Sequence, residues 1–408
     1  MKKIGILGAG QLGRMLALAG YPLGLRFRFF DSAPPTGTMS DSPSSLLAEQ
    51  ITADYADESA LGKFASGLDV VTYEFENVPV ETVRYLEKFV PVYPPAMALE
   101  KAQDRFVEKS FFRGLRIPTP KFSINELDKQ TLSRNRRGER TSVNGLSHGL
   151  TEENGLLFPA VLKTRRMGYD GKGQTVIKSE TDLVNGLYHG FTDENGVVSG
   201  LFHGLTDENG REANLILEEF VAFERELSII AVRNESGEMK FYPLVENQHH
   251  EGILRLSIVN GNISAELQKQ AEEYAKLVMN QLDYVGVLTI EFFERNGQLL
   301  ANEIAPRVHN SGHWSIEGAV TSQFENHVRA VIDAPLGSAN PLGMCGMINL
   351  VGNLPDVKFI LSIEGAHLHL YDKEPRPKRK LGHITFVEKD METLQKKIDL
   401  VKEAYELF

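Results

Sequence analysis

The sequence has one cysteine, Cys345, and one tryptophan, Trp314, among 408 residues. A lone thiol cannot close an internal disulfide or fill a cysteine-rich zinc site, so the expected setting is a reducing one, with the cytoplasm as default. Long apolar runs are absent too, since no stretch approaches the roughly 18 residues a span needs. The segment after Lys2 and Lys3 is broken by Gly5, Gly8, Gly10 and Gln11. Neither a membrane segment nor a secretory leader is expected. Positive charge is in deficit, 44 Lys and Arg against 55 Asp and Glu, for a net charge of −11. That balance disfavours broad nucleic-acid binding and requires any anion site to be focal. Core material is plentiful: 42% of residues are apolar, which excludes a disordered chain and suits roughly two to four domains.

Residues 3–8 form a short β-rich run ending in Gly8-Ala9-Gly10-Gln11-Leu12-Gly13, after which Leu12, Leu16 and Ala19 recur at helical spacing. The pattern predicts strand, tight turn and helix. Apolar runs at 25–30 and 69–73, and a helix opening at Pro79, extend it to an α/β domain with a parallel sheet whose functional edge is at the strand C-termini. That domain is expected over 1–98. A helix is predicted over 99–113, then strands at 158–163, 214–220, 226–233, 239–245 and 253–259, and a long helix over 264–282. A hairpin, 287–294 with 298–303, turns at Asn296-Gly297, and another helix follows around 314–332. The region 99–335 therefore reads as α+β with antiparallel pairing. The tail, 336–408, reads as short strands with a basic segment at 373–380 and a final helix.

Three near-copies, NGLSHGLTEENG from Asn144, NGLYHGFTDENG from Asn185 and GLFHGLTDENG from Gly200, place His148, His189 and His203 at offsets of 41 and 14 residues. Solenoid units cannot stack at such uneven intervals. Duplicated surface insertions, over about 131–157 and 185–211 and away from the chemistry, are the expected reading.

Gly8, Gly10 and Gly13, with Asp31 eighteen residues beyond the last glycine, spell a dinucleotide fingerprint, but a tight turn that holds any phosphate or ribose near a helix N-terminus has the same spelling. The segment RRMGYDGKGQ, Arg165 to Gln174, sets Gly168, Gly171 and Gly173 among Arg165, Arg166 and Lys172. Glycines there let backbone N–H groups close on an anion, although the spacing is not that of a P-loop. The run Glu218-Glu219-Phe220-Val221, with Glu226 beyond, can offer backbone groups to a purine edge and a carboxylate to ribose hydroxyls. In the hairpin, a two-residue turn sets Glu291 opposite Asn302, and a three-residue loop sets it opposite Glu303. A carboxylate pair there suits magnesium carried with phosphate. Arg307, His309 and Asn310, in a donor-rich loop before Trp314, match a small planar anion.

In order, these segments resemble the 5-(carboxyamino)imidazole ribonucleotide synthase family of ATP-grasp enzymes. The resemblance runs through GAGQLGRM at Gly8, TYEFENV at Thr72, QDR at Gln103, GYDGKGQ at Gly168 and ILEEFVAFERELS at Ile216. It continues in YPLVENQHHEGIL at Tyr242, NEIAPRVHNSGHW at Asn302, SQFENHVRAV at Ser322 and RPKRKLGH at Arg376. It implies a Rossmann-like pre-ATP-grasp domain with a parallel sheet, a central ATP-grasp domain with a lid subdomain, and a small β-rich C-terminal domain. The implied reaction uses ATP and magnesium to turn bicarbonate into carboxyphosphate, which carboxylates aminoimidazole ribonucleotide.

By the same resemblance, Arg105, Lys163, Gly168, Tyr169, Asp170, Gly171, Lys172, Gly173 and Gln174 surround ATP, with Glu218, Glu219, Phe220, Val221, Glu226 and His249. Glu291 and Glu303 hold magnesium with Asn302 close by. Arg307, His309 and Asn310 grip bicarbonate. Gln11, Glu74, Asn77, Tyr169 and Asp170 contact the ribonucleotide, Asp170 orienting its amine or accepting its proton, and Arg376, Arg379 and Lys380 meet its phosphate region. A homodimer is implied, with no nucleic-acid or membrane partner. Met167 stands where the family usually has another glycine. The competing readings are a ligase using glycinamide ribonucleotide and formate, a nucleotide-binding module without turnover, and a dehydrogenase.

Overall fold

A computed structural model describes residues 1–33, 47–124, 158–168, 173–179, 182, 215–259 and 261–405. Both repeat regions, 131–157 and 185–211, lie outside them, as do Tyr169, Asp170, Gly171 and Lys172. The chain divides into two compact units. One comprises Met1–Ala102, Glu224–Leu299 and Glu303–Phe408, and the other Gln103–Phe223 and Leu300–Asn302.

In the first unit, strands β1 (Lys3–Leu7), β2 (Arg26–Asp31), β3 (Glu49–Thr52) and β4 (Val70–Tyr73) form an all-parallel sheet in the order β3-β2-β1-β4. Helix α1 (Gln11–Gly20) leaves the glycine turn after β1, as predicted, and buries Leu12, Met15 and Leu16. The central strand β1 and its neighbour β4 are buried on both faces, as helix-covered parallel strands must be, whereas β2 alternates and the edge strand β3 is polar.

Antiparallel strands make the other sheet of this unit. They are β9 (Arg225–Arg233), β10 (Met239–Phe241), β11 (Val245–His250), β12 (Ile253–Val259), β13 (Gly286–Arg295), β14 (Gln298–Ala305), β15 (Met344–Val351), β16 (His367–Leu370) and β17 (Lys380–Glu388). Their order is β14-β13-β9-β11-β12-β15-β17-β16, with β10 beside β9. The C-terminal strands thus continue the central sheet through the β12–β15 pairing. Asn296 and Gly297 carry φ of 53° and 70° between β13 and β14, the left-handed pair of a two-residue hairpin turn. The long helix Ala265–Gln281 is capped by Ser264, whose side chain accepts from the Leu267 amide, one residue inside the range the spacing predicts.

The second unit holds an antiparallel sheet of β5 (Phe122–Ile124), β6 (Ala160–Thr164), β7 (Gln174–Ile177) and β8 (Leu215–Glu219), in the order β5-β8-β6-β7.

Three local expectations change. The helix over 99–113 is two helices, Ala96–Ala102 and Arg105–Gly114, because Asp104 adopts an extended backbone and its carboxylate accepts from the Phe106 and Val107 amides. Such a cap starts a helix and ends any predecessor. The strand over 239–245 stops at Phe241, and Val245 opens β11, which polar residues had hidden: Glu246, Asn247, Gln248, His249 and His250 give no apolar alternation. The helix around 314–332 is broken into Ser315–Gly318 and Gln323–Val331, with Ser322 capping the second through the Glu325 amide.

His327, fully buried on that second helix, joins the two sheets of this unit. Its Nδ1 accepts from the Val287 amide at 3.1 Å, so its Nε2–H donates to Thr72 Oγ1 at 2.8 Å. Burial pushes the ring down to about 3 from 6.5. His327→Ala should cost about 2–4 kcal/mol near neutral pH, from a cavity and two orphaned polar groups. The unfolded chain binds the proton first, so the benefit of this neutral ring is present above pH 6.5 and lost as pH falls toward 3. Denaturant unfolding of both proteins should show the gap narrowing with acidification; a constant gap contradicts the assignment.

Candidate active site

In the second unit, β6 and β8 pair so that Lys163 and Glu218 approach, with Lys163 Nζ donating to Glu218 Oε2 at 2.7 Å. Lys109, fully buried on Arg105–Gly114, lies 3.5 Å from the same oxygen and donates to the Asn302 carbonyl at 2.7 Å. Burial pushes the Glu218 carboxyl up, but Lys109 and Lys163 overcome it and hold it at about 2. Glu218 Oε1 and Thr164 Oγ1 are buried without a hydrogen-bond partner among the described residues, as is Asn302 Oδ1. Gly173 has φ +73°, and a Cβ there would meet Thr164 Oγ1 at 2.5 Å, so only glycine fits.

Arg105 donates to the Gly168 carbonyl at 3.3 Å. Arg165 binds Asp104 through two bonds of 3.0 and 2.8 Å, and Arg166 lies 3.3 Å from it, so these two cations are engaged by the protein instead of standing ready for phosphate. Met167 takes φ +63°, a left-handed conformation that glycine adopts at no steric cost. Gln174 opens β7, Glu219 accepts from the Lys121 amide at 3.2 Å, Phe220 is exposed and Val221 is buried. Lys109 was not anticipated; the signal for it is a lysine flanked by Glu108 and Phe112 on the buried face of a helix.

The first unit gathers the remaining candidates. Glu74, at the end of β4, accepts from the Gly10 amide and from the Gly13 amide at 2.5 Å. A Cβ on Gly8 would sit 2.4 Å from Glu74 Cγ. The chain's own carboxylate therefore occupies the helix N-terminus where a dinucleotide would seat its pyrophosphate. Asp31 is engaged too, accepting from the Ala9 amide at 2.7 Å and the Ala33 amide at 2.9 Å. Both observations count against the dehydrogenase reading. Burial raises the Glu74 carboxyl, with partial relief from the Gly13 and Gly10 amides. Gln11 Oε1 accepts from Lys373 Nζ, and Asn77 is half-buried.

At the end of β14, Arg307 Nε donates to Glu76 Oε2. Burial pushes Glu76 up, and the Arg307 guanidinium more than reverses it. His309 Nε2 lies 3.2 Å from Glu291 Oε1. Asn310 exchanges amide bonds with buried Asn349 on β15, donating at 3.0 Å and accepting at 2.7 Å. His249 binds Glu226 at 2.7 Å, and that contact overcomes burial to raise the ring.

Glu291 is pushed up to about 7, first by burial and then by the Glu303 charge. The two carboxylates therefore interact even though the hairpin closes through the two-residue turn. Burial drives His309 well below its usual range, with Arg307 and Lys380 adding to the effect. The basic segment divides: Arg376 is exposed, Arg379 donates to the Glu374 carbonyl at 3.3 Å, and the Lys380 charge acts on Glu76, Glu291 and His309. Sequence reasoning missed Glu76, Lys373 and Asn349. Glu76 lies inside TYEFENV, where only its neighbours Glu74 and Asn77 were singled out.

Among the described residues no group of three or more His, Cys, Asp or Glu is set to hold a metal. Two hard carboxylates whose mutual repulsion raises one of them still fit magnesium, which takes one or two carboxylates and completes its shell with phosphate oxygens and water.

Three family models match in chain order: the ribonucleotide synthetase preATP-grasp domain over 1–103, the ATP-grasp domain over 148–324 and the phosphoribosylaminoimidazole carboxylase C-terminal domain over 345–397. The N5-carboxyaminoimidazole ribonucleotide synthase of Pseudomonas aeruginosa is 47% identical over 404 residues, 99% of each chain. The chain belongs to the N5-carboxyaminoimidazole ribonucleotide synthase family. The crystal structure of the Thermus thermophilus synthetase shares 47% identity and a TM-score of 0.82 over 99% of both chains. The Aspergillus clavatus synthase, solved in complex with ADP and 5-aminoimidazole ribonucleotide, has a TM-score of 0.82 at 27% identity, over 100% of this chain and 99% of that one. As in other N5-carboxyaminoimidazole ribonucleotide synthases, the parallel-sheet domain, ATP-grasp domain and C-terminal domain follow one another, and the chain is an ATP-grasp ligase.

Glu291 keeps its proton up to pH about 7 in the folded protein and only to about 4.5 when unfolded. Its contribution to stability is present below pH 4.5 and lost as pH rises through 7. Glu291→Gln should therefore stabilise the metal-free protein at pH 8, by roughly 1–3 kcal/mol. Thermal unfolding in chelator checks this, and a lower midpoint for the variant contradicts it.

Proposed function

We propose that the protein carboxylates 5-aminoimidazole ribonucleotide: ATP and bicarbonate give ADP and carboxyphosphate, and the ribonucleotide amine then displaces phosphate to give the N5-carboxy product. The observation that carries this reading is buried Glu291 under the charge of Glu303, flanked within one unit by the cations Arg307 and Lys380 and by the donors His309 and Asn310. Acids suited to a metal–phosphate and cations suited to carbonate stand side by side there.

Lys163, Lys109 and the Gly168–Gln174 segment supply positive charge and backbone donors for the nucleotide, with Glu218 holding the lysines. Glu219 to Val221 offer the purine backbone groups, and Glu226 with His249 completes the nucleotide contacts. Glu291 and Glu303, with Asn302, are the residues for magnesium, which when bound screens the phosphate charge. In the first step a bicarbonate oxygen bonds to the γ-phosphorus as the bond to ADP breaks. In the second the amine nitrogen bonds to the carboxyl carbon, the carbon–oxygen bond to phosphate breaks, and the amine proton passes to a base. Asp170 is the candidate for that base, and Arg307, His309 and Asn310 orient the carbonate throughout. Gln11, Glu74, Asn77 and Tyr169 serve the ribonucleotide, with Arg376, Arg379 and Lys380 toward its phosphate. A homodimer in the cytoplasm is the expected working form.

Phosphate release from ATP, with magnesium and bicarbonate present, should rise at least tenfold on adding aminoimidazole ribonucleotide and stay at the basal rate with glycinamide ribonucleotide and formate. The reverse preference identifies the formate-using ligase, and binding without release identifies a module that lacks turnover. Glu303→Gln should lower turnover by 10²-fold or more, the scale of losing a transition-state charge partner, with the fold intact. Retained activity rejects the metal-ligand role.

A further inference from the structure

A buried chain of hydrogen bonds runs across three strands and one short turn to His309. Ser257 on β12 donates through Oγ to Asn247 Oδ1 on β11 at 2.8 Å, and Asn247 Nδ2 donates to Ser228 Oγ on β9 at 2.9 Å. Ser228 Oγ lies 2.8 Å from Ser311 Oγ, which lies 2.9 Å from His309 Nδ1. All four side chains short of the histidine are buried. Hydroxyl and amide chains can run in either direction, but this one cannot. The Ser311 backbone N–H also points at His309 Nδ1, at 3.3 Å, and a backbone N–H only donates. Nδ1 is therefore an acceptor, the Ser311 hydroxyl donates to it, and Ser228 must donate to Ser311. That leaves Ser228 to accept from Asn247, and so Asn247 Oδ1 faces Ser257. The ring carries its proton on Nε2, 3.2 Å from Glu291 Oε1.

We propose that the side chains of Ser311, Ser228, Asn247 and Ser257 are positioning groups that, together with the Ser311 backbone N–H, hold His309 Nδ1 as an acceptor and lock the ring in the tautomer protonated at Nε2, making it a hydrogen-bond donor to bicarbonate and not a proton acceptor. The lock stands on geometry alone; its consequence for bicarbonate rests on the function proposed above. Chemically, the lock gives a role to the serine, asparagine and serine buried on the neighbouring strands β9, β11 and β12. A bare imidazole nitrogen facing ionised Glu291 would meet its lone pairs, whereas an N–H can bond a carboxylate or a carbonate oxygen equally well.

Asn247→Asp tests this by reversing the chain with an isosteric side chain. A carboxylate only accepts, so Ser228 must donate to it and in turn accept from Ser311, whose hydroxyl no longer donates to His309. In protein labelled with nitrogen-15 histidine, long-range proton–nitrogen correlation distinguishes the two tautomers, and His309→Gln assigns the signal among the 11 histidines. The wild type should show His309 protonated at Nε2 only, and Asn247→Asp, which leaves the Ser311 backbone N–H as the remaining donor to Nδ1, should move the Nδ1 nitrogen-15 frequency downfield, toward that of an unbonded imidazole nitrogen. Ser228→Ala, which cuts the chain without adding charge, should shift the signal in the same sense if Asn247→Asp fails to fold. A wild-type ring protonated at Nδ1, or an unchanged signal in the folded variants, overturns the lock. In the kinetic arm, half-saturating bicarbonate should rise about tenfold, the scale of one lost hydrogen bond to a charged group, with the Michaelis constant for ATP unchanged. A shifted Nδ1 frequency with unchanged bicarbonate dependence upholds the lock and rejects the place given to His309 in the bicarbonate site.

Discussion

Two carboxylates that repel each other organise the first unit. Glu291 and Glu303 come from the two arms of one hairpin, and burial of that pair favours neutralisation of one of them. The surroundings answer in kind. Arg307 and Lys380 act on Glu291 and Glu76, and Glu76 holds the Arg307 guanidinium through a direct bond. The same cations, together with burial, keep His309 neutral. A site of this composition is poised to exchange a proton for a cation, and it leaves donors of both charged and neutral kinds for a small anion beside that cation.

Each contributor arrives on a different part of the chain, and the long antiparallel sheet aligns most of them. Strands β9, β11, β12 and β13 carry Ser228, Asn247, Ser257 and Glu291 in adjacent register, with Glu291 opposite Ser228 and Asn247 opposite Ser257. The C-terminal strands then extend the sheet and bring Asn349 to Asn310 and Lys380 to the carboxylates. Through β15 and β17 the last third of the chain takes part in the chemistry proposed for the centre. The turn that follows β4 carries Glu74 and Glu76, one closing the glycine turn after β1 and the other reaching Arg307.

Elements with a clear period were legible in the sequence: the parallel strands β1, β2 and β4, helix α1, the hairpin at Asn296-Gly297 and the helix capped by Ser264. Where a polar device overrides the period, legibility ended. Asp104 splits a helix that the spacing of Leu99, Phe106 and Phe112 continues, and β11 lacks an apolar face because Asn247 joins a buried hydrogen-bond chain and His249 pairs with Glu226 while Gln248 and His250 face outward. The site was legible as a set of motifs, but pairings were not. Nothing in the spacing says that Arg307 meets Glu76 across 231 residues of chain or that Lys109 shares Glu218 with Lys163. The glycine fingerprint illustrates the limit from the opposite direction, since its anion is the protein's own Glu74. Those pairings are tertiary facts, set by which strand edges meet.

The central claim is that bicarbonate is the nucleophile toward ATP and that its oxygen bridges carbon and phosphorus. Bicarbonate labelled with oxygen-18, mixed with enzyme, ATP, magnesium and aminoimidazole ribonucleotide, tests it by mass analysis of the released phosphate. The account predicts one labelled oxygen transferred to each phosphate. Phosphate free of label, formed at the same rate, would mean that water attacks ATP and would contradict the account.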